Sequence, residues 1–488
     1  MTDTTAEGTH RQLYGVERSD QHVRESLTSG AIPVAVYGLG KMGLPLAATL
    51  AETTGNVVGA DVDPTVVDAV NAGKSHVKRE PGLDELVAET VAEGALTATA
   101  DPREAAAAGA VHVVIVPTPI TDDHEPDYSI LDDVVADVAT GLEPGDLVII
   151  ECTVPPRTAA DRVRSALEDA SGLARGEFGV AVCPERTSSG RALEDIRGAY
   201  PKVVGGVDDE STRAAAILYE ALTDAAVIRV SDATTAEAVK VFEGVYRDVN
   251  IGLANELARF TDDLEIDVRE AIEVANTLPY CDIHEPGPGV GGHCIPFYPY
   301  FLIDPFETDA PLLEAARAVN DSMPAFTVAK LREEFAAEGV DLSETSILLL
   351  GLTYRPGVEE IRASPSLAIA EQLSGAGATV YGVDPLLDSF EPFDLEPLAL
   401  EAVYDSPFDG VVLVTPHEEF RSIRWADLER ESGTLVVVDG RDALETEAVA
   451  GAGHRVYTIG SGVSGAGGAS GADSGGASDG DRGGGRGV

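Results

Sequence analysis

The residue with the clearest chemical potential is Cys294, because the segment around it suits close approach to a bound molecule. Residues 287–296 contain four glycines and two prolines around this one thiol. Proline stiffens a backbone and glycine lets it pack closely, so the loop could press the sulfur against a substrate. A nucleophilic thiol of this kind needs a nearby cation to lower its pKa, and His293 and Lys240 are the candidates.

Two other interpretations of this cysteine stay open at this point. A single cysteine is often a small buried apolar side chain that performs no chemistry. Alternatively, zinc could bind Cys281, His284, His293 and Cys294. Adjacent histidine and cysteine ligands at this short spacing match no familiar zinc pattern, so the sequence favours a nucleophilic thiol and no metal.

Lys240 is one of only six lysines and lies in a stretch rich in helix-forming residues. At helical spacing, Lys240, Gly244 and Arg247 share one face, so two cations flank a gap. This face could bind an anionic substrate or stabilise an oxyanion. The alternative is a pair of solvated charges, but the scarcity of lysine in the chain favours the functional interpretation.

A glycine pattern near the N-terminus predicts a dinucleotide site. Gly38, Gly40 and Gly43 directly follow an apolar strand pattern and begin a helix, and Asp61 comes 18 residues after Gly43. Such glycines let the backbone approach a pyrophosphate, and the acid can accept hydrogen bonds from a ribose diol. No arginine stands beside Asp61, which favours NAD over NADP. The alternative is a tight structural turn that binds nothing.

Glu185 follows another predicted strand, in the segment Cys183-Pro-Glu185-Arg186. Doubly wound sheets bind ligands at the carboxyl ends of their strands, so Glu185 is a candidate base. The alternative is an ordinary surface carboxylate.

The elements that must position these residues form two repeating patterns. Short β-branched runs alternate with alanine-rich helical stretches over residues 33–182, and a second such unit begins at residue 346 and has Gly351 and Asp384 at comparable points. Residues 231–275 are helical in pattern. The sequence therefore predicts an α/β fold with two Rossmann-like doubly wound domains joined by a central helical domain. The expected divisions are a polar arm (1–30), an NAD-binding domain (31–230), the helical domain with the cysteine (231–335), a second α/β domain (336–460) and a disordered glycine-rich tail (461–488).

The composition narrows the class of protein. The 488 residues carry 84 acidic and 34 basic side chains, a net charge of −50, yet 44% of them are hydrophobic, unlike an acidic disordered chain. Repulsion makes nucleic acid and anionic membranes poor partners. Carboxylates spread along the whole chain indicate a protein that works in concentrated salt, which screens them. Four cysteines, no run of about 18 apolar residues and no signal-peptide core predict a reduced, cytoplasmic setting.

Taken in order, these motifs resemble the UDP-glucose/GDP-mannose dehydrogenase family over about residues 31–460. The segments that carry the resemblance are residues 38–43, 116–119, 152–156, 183–186, the helix around Lys240, 291–296, 318–321 and 350–356. Residues 246–251 and the Gly-Gly-His-Cys segment resemble the branch that acts on UDP-N-acetylhexosamines, above all the UDP-N-acetyl-D-mannosamine 6-dehydrogenases.

The resemblance implies an enzyme that uses two NAD molecules to oxidise the C6 hydroxyl of UDP-N-acetyl-D-mannosamine to a carboxylate through a cysteine thioester. By position, the thiol of Cys294 is the nucleophile, Lys240 stabilises the oxyanion and Glu185 is the acid or base. Thr153 helps to position water and cofactor. The residues implied to bind NAD are Gly38, Gly40, Met42, Gly43, Asp61, Thr118 and Thr153. Those implied to bind the UDP-sugar are Glu185, Arg186, Lys240, Arg247, Asn250, Gly289, His293, Arg355 and Arg362.

The resemblance also implies that the second α/β domain (336–460) binds UDP and not a dinucleotide, and that the chain forms a homodimer or larger homo-oligomer through the central helices. Four residues depart from the family pattern. Gly244 stands in place of asparagine and Tyr298 in place of aspartate, while Leu278 and Tyr280 replace the histidine and arginine of a His-Pro-Arg segment. These departures leave three alternatives open: the same chemistry on UDP-N-acetylglucosamine or UDP-glucose, a two-electron dehydrogenase, or a non-catalytic protein that binds NAD and a nucleotide sugar.

Overall fold

Buried strands of β-branched residues build the first of two sheets. The computed structural model describes residues 11–188, 190–428, 430 and 434–465. Strands β1 to β8 are Val34–Tyr37, Val57–Ala60, Leu96–Thr99, Val111–Val114, Leu147–Ile150, Gly179–Val182, Lys202–Gly206 and Val227–Arg229. Their order is β3-β2-β1-β4-β5-β6-β7-β8, and the pairs are parallel except β6 with β7. Helices cover both faces, which explains why β1 and β5 are apolar and buried throughout.

The helices around this sheet often begin at an aspartate. Helices α1 to α8 are Asp20–Thr28, Gly43–Thr54, Pro64–Asn71, Leu83–Ala92, Pro102–Ala108, Ser129–Ala139, Arg164–Ser171 and Asp209–Leu222. Short helical segments also occur at Thr158–Val163, Ala192–Glu194 and Asp195–Ala199. The side chains of Asp63, Asp101 and Asp208 accept hydrogen bonds from the first backbone N–H groups of α3, α5 and α8. Part of the acidic composition therefore caps helices.

The segment predicted as a separate polar arm packs on the first sheet where it is described. Leu13, Tyr14, Val23 and Leu27 are buried in the same core as β1. Residues 11–30 therefore belong to the first α/β unit, because the apolar side chains of this segment are few but all point inward.

Two long helices dominate the centre of the molecule. Helices α9 to α13 are Ala233–Ala258, Thr261–Leu264, Val268–Ala275, Tyr300–Ile303 and Pro311–Ala337. The side chain of Asp232 caps α9 by accepting from the N–H of Thr235. A buried polar cluster joins α9 to α13, in which Asn320 donates to Asp248 and Arg317 forms an ion pair with the same carboxylate. Such a cluster fixes the register of the two helices.

The second sheet repeats the architecture of the first. Strands β9 to β15 are Ser346–Leu350, Thr379–Val383, Glu396–Pro397, Gly410–Leu413, Val436–Asp439, Arg455–Thr458 and Gly462–Gly465. Their order is β11-β10-β9-β12-β13-β14-β15, all parallel except the last pair. Helices α14 and α15 are Pro365–Gly375 and Thr446–Gly451. The predicted fold, two doubly wound units joined by helices, is confirmed.

The structure corrects the start of the predicted disordered tail. Gly462–Gly465 is a strand that pairs antiparallel with β14, so that Val463 lies opposite Tyr457. Backbone hydrogen bonds hold this strand, and they do not depend on its small side chains. The rest of the predicted tail, residues 466–488, lies outside the described residues.

Candidate active site

The turn between β1 and α2 is shaped to take a pyrophosphate. Gly38 has φ +94°, and a Cβ there would lie 2.5 Å from the carbonyl oxygen of Ile115. A Cβ on Gly43 would lie 1.9 Å from the carbonyl oxygen of Gly38, whereas a Cβ on Gly40 would point into open space. No side chain caps α2. The N–H groups of Leu44 and Leu46 donate to the carbonyl oxygens of Gly40 and Met42 and Pro45 has no N–H, so the first helical turn offers the N–H of Gly43 to an anion.

Asp61 closes the same turn from the end of β2. Its Oδ2 accepts from the backbone N–H of Leu39 at 2.8 Å and its Oδ1 from that of Asp63 at 3.0 Å. Each oxygen keeps a lone pair that can accept from a ribose hydroxyl. The bare turn, the uncapped helix and this carboxylate fit NAD.

Cys294 is half-buried, and its surroundings lower the pKa of its thiol. Burial raises the pKa of this thiol, but the hydrogen bond and charge of His293, the hydrogen bond of Tyr298 and the charge of Lys240 together hold the pKa below its ordinary value. The hydrogen bond to Cys294 raises the pKa of His293 in turn. A thiolate beside an imidazolium is the form of cysteine that attacks a carbonyl carbon.

Two other cysteines show the opposite behaviour. Cys152 and Cys183 are fully enclosed, and burial raises the pKa of Cys152 to about 12 and that of Cys183 well above its ordinary value. All four cysteines, each within the described ranges, are free thiols. Cys294 is thus distinguished from these two by its neighbours and its accessibility.

Tyr298 connects the cysteine to the first α/β unit. Its buried hydroxyl donates to Thr153 Oγ1 at 3.2 Å, and Thr118 Oγ1 donates to the carbonyl oxygen of Thr153 at 2.5 Å. The ring lies 5.9 Å from Lys240 Nζ. A Cβ on Gly244 would come within 2.2 Å of Tyr298 Cδ2, so the ring occupies the space beside that glycine. The gap between the cations of α9, predicted to hold a ligand, is filled here by this ring.

Glu185 lies just beyond β6, above a buried group of ionisable side chains. Its carboxylate accepts from the N–H of Thr187, and its own N–H donates to the carbonyl oxygen of Glu151 at 3.1 Å. Lys202 is buried in this group. Burial alone would lower the pKa of this lysine, but the negative charges of Glu151 and neighbouring groups outweigh that effect, so the pKa is raised. Sequence reasoning missed Lys202, although the scarcity of lysine in this chain, which drew attention to Lys240, applies equally to Lys202.

Two residues predicted to contact the substrate form hydrogen bonds and ion pairs with other residues of this chain. Arg186 forms a 2.6 Å ion pair with Glu243 of α9, and Nη1 of the same arginine donates to the carbonyl oxygen of Pro201. Asn250 Nδ2 donates to the carbonyl oxygen of Asp282 at 2.6 Å, and its Oδ1 accepts from the N–H of His284. Both residues thus attach α9 to neighbouring segments.

The glycine loop before Cys294 packs against the second α/β unit. A Cβ on Gly291 would lie 2.7 Å from Tyr354 Cβ, and the N–H of Gly292 donates to the carbonyl oxygen of Arg362 at 2.9 Å. Gly289 contacts Pro365, and its φ of +142° suits glycine. The loop therefore brings the segment that carries Arg355 and Arg362, both exposed, to the same edge as the thiol.

A half-buried arginine that sequence reasoning missed supports the glycine loop. Arg441 follows β13, and it donates to the carbonyl oxygens of Gly289 at 3.2 Å and Val414 at 3.1 Å. Burial and the charge of Arg269 lower the pKa of Arg441 to about 10. Arg269 also donates to the carbonyl oxygen of Pro286 at 2.8 Å. The sequence signal that could have identified Arg441 was its position just after a predicted strand, where doubly wound sheets place functional residues.

The four side chains of the alternative zinc interpretation do not form a metal site. Within the part of the chain that the structure describes, no group of three or more His, Cys, Asp or Glu side chains could hold a metal ion. Nor does any helix in that part have the length and apolar character to cross a membrane.

Three family models match this chain. They describe the NAD binding domain, the central domain and the UDP binding domain of the UDP-glucose/GDP-mannose dehydrogenase family, at residues 32–223, 234–322 and 348–446. The chain belongs to this family. The predicted resemblance and NAD as the cofactor are thereby confirmed.

Individual relatives agree with the family models. A UDP-N-acetyl-D-mannosamine dehydrogenase of Pyrococcus horikoshii is 36% identical over 414 residues, 84% of this chain and 96% of that protein. An NDP-N-acetyl-D-galactosaminuronic acid dehydrogenase of Ralstonia nicotianae is 35% identical over 427 residues, 86% of this chain and 97% of that one. The solved structure of the P. horikoshii UDP-D-ManNAc dehydrogenase has a TM-score of 0.79 at 35% identity and covers 88% of this chain and 99% of its own.

Proposed function

We propose that this protein is an NAD-dependent 6-dehydrogenase of UDP-N-acetyl-D-mannosamine that carries out both oxidations of C6, from alcohol to carboxylate. The observation that carries the proposal is the position of Cys294. This ionisable thiol lies in a loop that contacts the NAD-binding unit through Tyr298 and Thr153 and the UDP-binding unit through Gly292 and Arg362. A thiol at this junction can reach a carbon presented by both.

The side chains at this junction support a covalent mechanism. NAD, when bound, accepts a hydride in each of the two oxidations. The thiolate of Cys294 attacks the carbon of the aldehyde, the π electrons move to oxygen, and Lys240 stabilises the resulting oxyanion. The second oxidation converts this adduct to a thioester. Glu185 then takes a proton from water, which attacks the thioester carbon; the C–S bond breaks and releases the thiolate and the carboxylic acid, which loses its own proton to solvent to give the carboxylate.

The remaining site residues are proposed to orient the two ligands. In the first unit, the glycine turn, Met42, Asp61, Thr118 and Thr153 hold NAD. In the second, Arg355 and Arg362 bring positive charge to the UDP diphosphate, which must enter a protein with a net charge of −50. Arg247, exposed on α9, adds a third cation, and Gly289 and His293 line the loop. Arg186 and Asn250 act by holding α9 in position.

The relatives also favour a second substrate. The Ralstonia protein is named for a galactosamine-derived sugar and is nearly as similar to this chain as the Pyrococcus enzyme. The N-acetyl group is common to both substrates. The mannosamine and galactosamine sugars therefore differ in the configuration of the hexose. UDP-N-acetylglucosamine and UDP-glucose are the two other sugars to be compared as substrates.

Three further properties belong to the proposal. The apolar side chains of Phe242, Tyr246, Leu253 and Phe260 are about half exposed and follow one another at intervals of four, seven and seven residues, which favours a homodimer or larger homo-oligomer through α9. The acidic composition favours function in concentrated salt, and the free cysteines favour a reduced, cytoplasmic setting.

The experiment that tests the proposal counts NADH released for each UDP-sugar consumed, in high salt and across these four sugars. The proposal expects two NADH for UDP-N-acetyl-D-mannosamine, with Cys294→Ser forming no carboxylate. One NADH per sugar would replace it with a two-electron dehydrogenase, and none for any sugar would contradict an enzymatic role.

A further inference from the structure

Two departures from the family pattern, Gly244 and Tyr298, are one structural unit. They lie on different elements, α9 and the loop after Cys294, yet a Cβ on Gly244 would overlap the tyrosine ring at 2.2 Å from Cδ2 and 3.0 Å from Cγ. Real Cβ atoms do not approach other atoms so closely, so the ring can occupy its position only because residue 244 is glycine. Glycine in the interior of a helix costs about 1 kcal/mol relative to alanine, so its presence there calls for such a reason.

Tyr298 and the nucleophilic cysteine share one packed cluster. Tyr298 packs in a small buried cluster with Val241 and Phe301, and Cys294 packs against that cluster. The N–H of Tyr298 donates to the carbonyl oxygen of Cys294 at 3.0 Å, which fixes the tyrosine one helical turn after the cysteine. The hydroxyl of Tyr298 donates to Thr153 Oγ1 at 3.2 Å, and it lies near enough to Cys294 to lower the pKa of that thiol when it turns its proton toward the sulfur.

A buried tyrosine in this position is a donor and not a base. Burial and the negative charge of a Cys294 thiolate raise the pKa of Tyr298 far above its ordinary value, so the hydroxyl keeps its proton. One hydroxyl carries one proton, so Tyr298 donates either to sulfur or to Thr153 at any moment. It donates to sulfur when the sulfur is an anion, because charged acceptors form the stronger hydrogen bonds.

We propose that Tyr298 is a catalytic residue of this chain, whose hydroxyl donates a hydrogen bond to Cys294 Sγ whenever that sulfur carries negative charge. Gly244 admits the ring that delivers this hydroxyl. The inference rests on the proposed thioester mechanism and adds a group to it.

Sulfur carries negative charge at two stages of that mechanism. Before attack, the thiol has lost its proton and the hydroxyl holds the thiolate. At hydrolysis, water adds to the thioester carbon, the C–S bond breaks, and its electron pair returns to sulfur, while the proton lost by water goes to Glu185. In between, sulfur is bonded to carbon without charge, and the hydroxyl donates to Thr153.

The decisive variant is Tyr298→Phe, which keeps the ring beside Gly244 and removes only the hydroxyl. Alkylation of Cys294 by iodoacetamide is followed against pH without NAD or sugar, and the Cys294 peptide is quantified by mass spectrometry. The expected result is a profile displaced to higher pH, with alkylation at pH 7 slowed about tenfold, the effect of one hydrogen bond to a charged group. Superimposable profiles for wild type and Tyr298→Phe would overturn the proposal.

Other titratable groups also face this thiol and are unchanged in the variant. These groups are His293 of the same loop, Lys240 of α9 and Tyr354 of the second unit, with Glu185 facing Tyr298 itself. The matched control is Tyr300→Phe, which removes a hydroxyl two residues along the chain, where the ring stacks on His124. Its alkylation profile is expected to match wild type, and a displaced profile there would contradict a specific role for Tyr298.

Gly244→Ala tests the coupling of the two positions. The new Cβ must displace the ring, so this variant is expected to slow alkylation as Tyr298→Phe does, and the double variant is expected to be no slower than either single one. Additive slowing would contradict a shared cause. Alkylation needs no substrate, so it tests the role of Tyr298 independently of the proposed function. The proposed function is tested by the count of NADH per UDP-sugar.

Discussion

The two α/β units begin with the same turn but finish it in opposite ways. Gly38 and Gly351 both follow the first strand of a sheet with positive φ, and a Cβ on either would strike a carbonyl oxygen across the sheet. In the first unit the next helix begins five residues later at Gly43, and no side chain caps its N-terminus. In the second unit the helix begins at Pro365, fourteen residues later, and Ser366 Oγ donates to the carbonyl oxygen of Gly351.

The carboxylate after the second strand shows the same contrast. Asp61 is half-buried and accepts two backbone hydrogen bonds, which leaves it capacity for a ribose. Asp384 is buried, and its Oδ2 alone accepts from the N–H groups of Leu352 and Thr353 and contacts His417 Nε2 at 3.1 Å. A turn whose donors and acceptors are satisfied internally has nothing to offer a dinucleotide. The turn of the first unit is therefore suited to NAD, whereas that of the second unit, which matches the UDP binding domain of the family, is not.

Among substitutions that test this difference between the two carboxylates, Asp384→Asn is expected to have the largest effect. Replacing a buried carboxylate with an amide leaves several donors without an anionic acceptor, so the free energy of unfolding is expected to fall by about 3 kcal/mol. Urea denaturation in high salt measures this change. The matched variant, Asp61→Asn, is expected to lower the same quantity by less than about 1 kcal/mol, and equal losses would contradict the contrast.

Asp384 also gives a pH signature. Burial alone would raise the pKa of this carboxyl, but hydrogen bonds from His417 and from the N–H groups of Thr353 and Leu386 lower it from 3.8 to about 2. Because the folded pKa is the lower one, the stabilisation is present above about pH 4 and is lost as the pH falls through about 2. The difference in stability between wild type and Asp384→Asn is therefore expected to narrow by about 2 kcal/mol between pH 5 and pH 2. A constant difference would show that the pKa of Asp384 is the same in the folded and unfolded chain, which would contradict the lowered pKa.

The next effect concerns ligand binding in the first unit. Gly43→Ala places a Cβ against the carbonyl oxygen of Gly38, so the turn must shift. Loss of two backbone hydrogen bonds to phosphate is expected to weaken NAD binding about 100-fold, as measured by calorimetry, while UDP binding is unchanged. Gly375→Ala in α14, where a Cβ meets nothing within 4 Å, is the control and is expected to bind NAD normally.

The smallest expected effect is that of Asp61→Asn on NAD affinity. The amide keeps one acceptor for ribose and loses the charge, so the dissociation constant is expected to rise about tenfold. Fluorescence titration of bound NADH measures it. An unchanged constant would mean that Asp61 only closes the turn, as Asp384 does.

Strands with nearly continuous apolar runs, such as β1, β5 and β9, were predictable from sequence because both of their faces are buried. Sequence reasoning missed β3, which is half-exposed, and β7, which contains a lysine and two glycines. Their side chains carry too little of the apolar signal. These strands are held by backbone pairing to neighbours distant in sequence, which a local pattern does not reveal.

The site follows the same rule. Local composition and spacing were enough to identify Cys294, Lys240 and Asp61 from the sequence. The fit of Tyr298 against Gly244 and the support of the loop by Arg441 join residues far apart in the chain, so only the fold reveals them.

The central claim, that one unit binds a dinucleotide and the other a UDP-sugar, is tested most directly by counting sites. NAD and UDP are titrated by calorimetry into the full chain in high salt, each alone and then in the presence of the other. The account predicts one NAD and one UDP for each chain, with neither displacing the other. A second equivalent of NAD, or release of UDP by NAD, would contradict it.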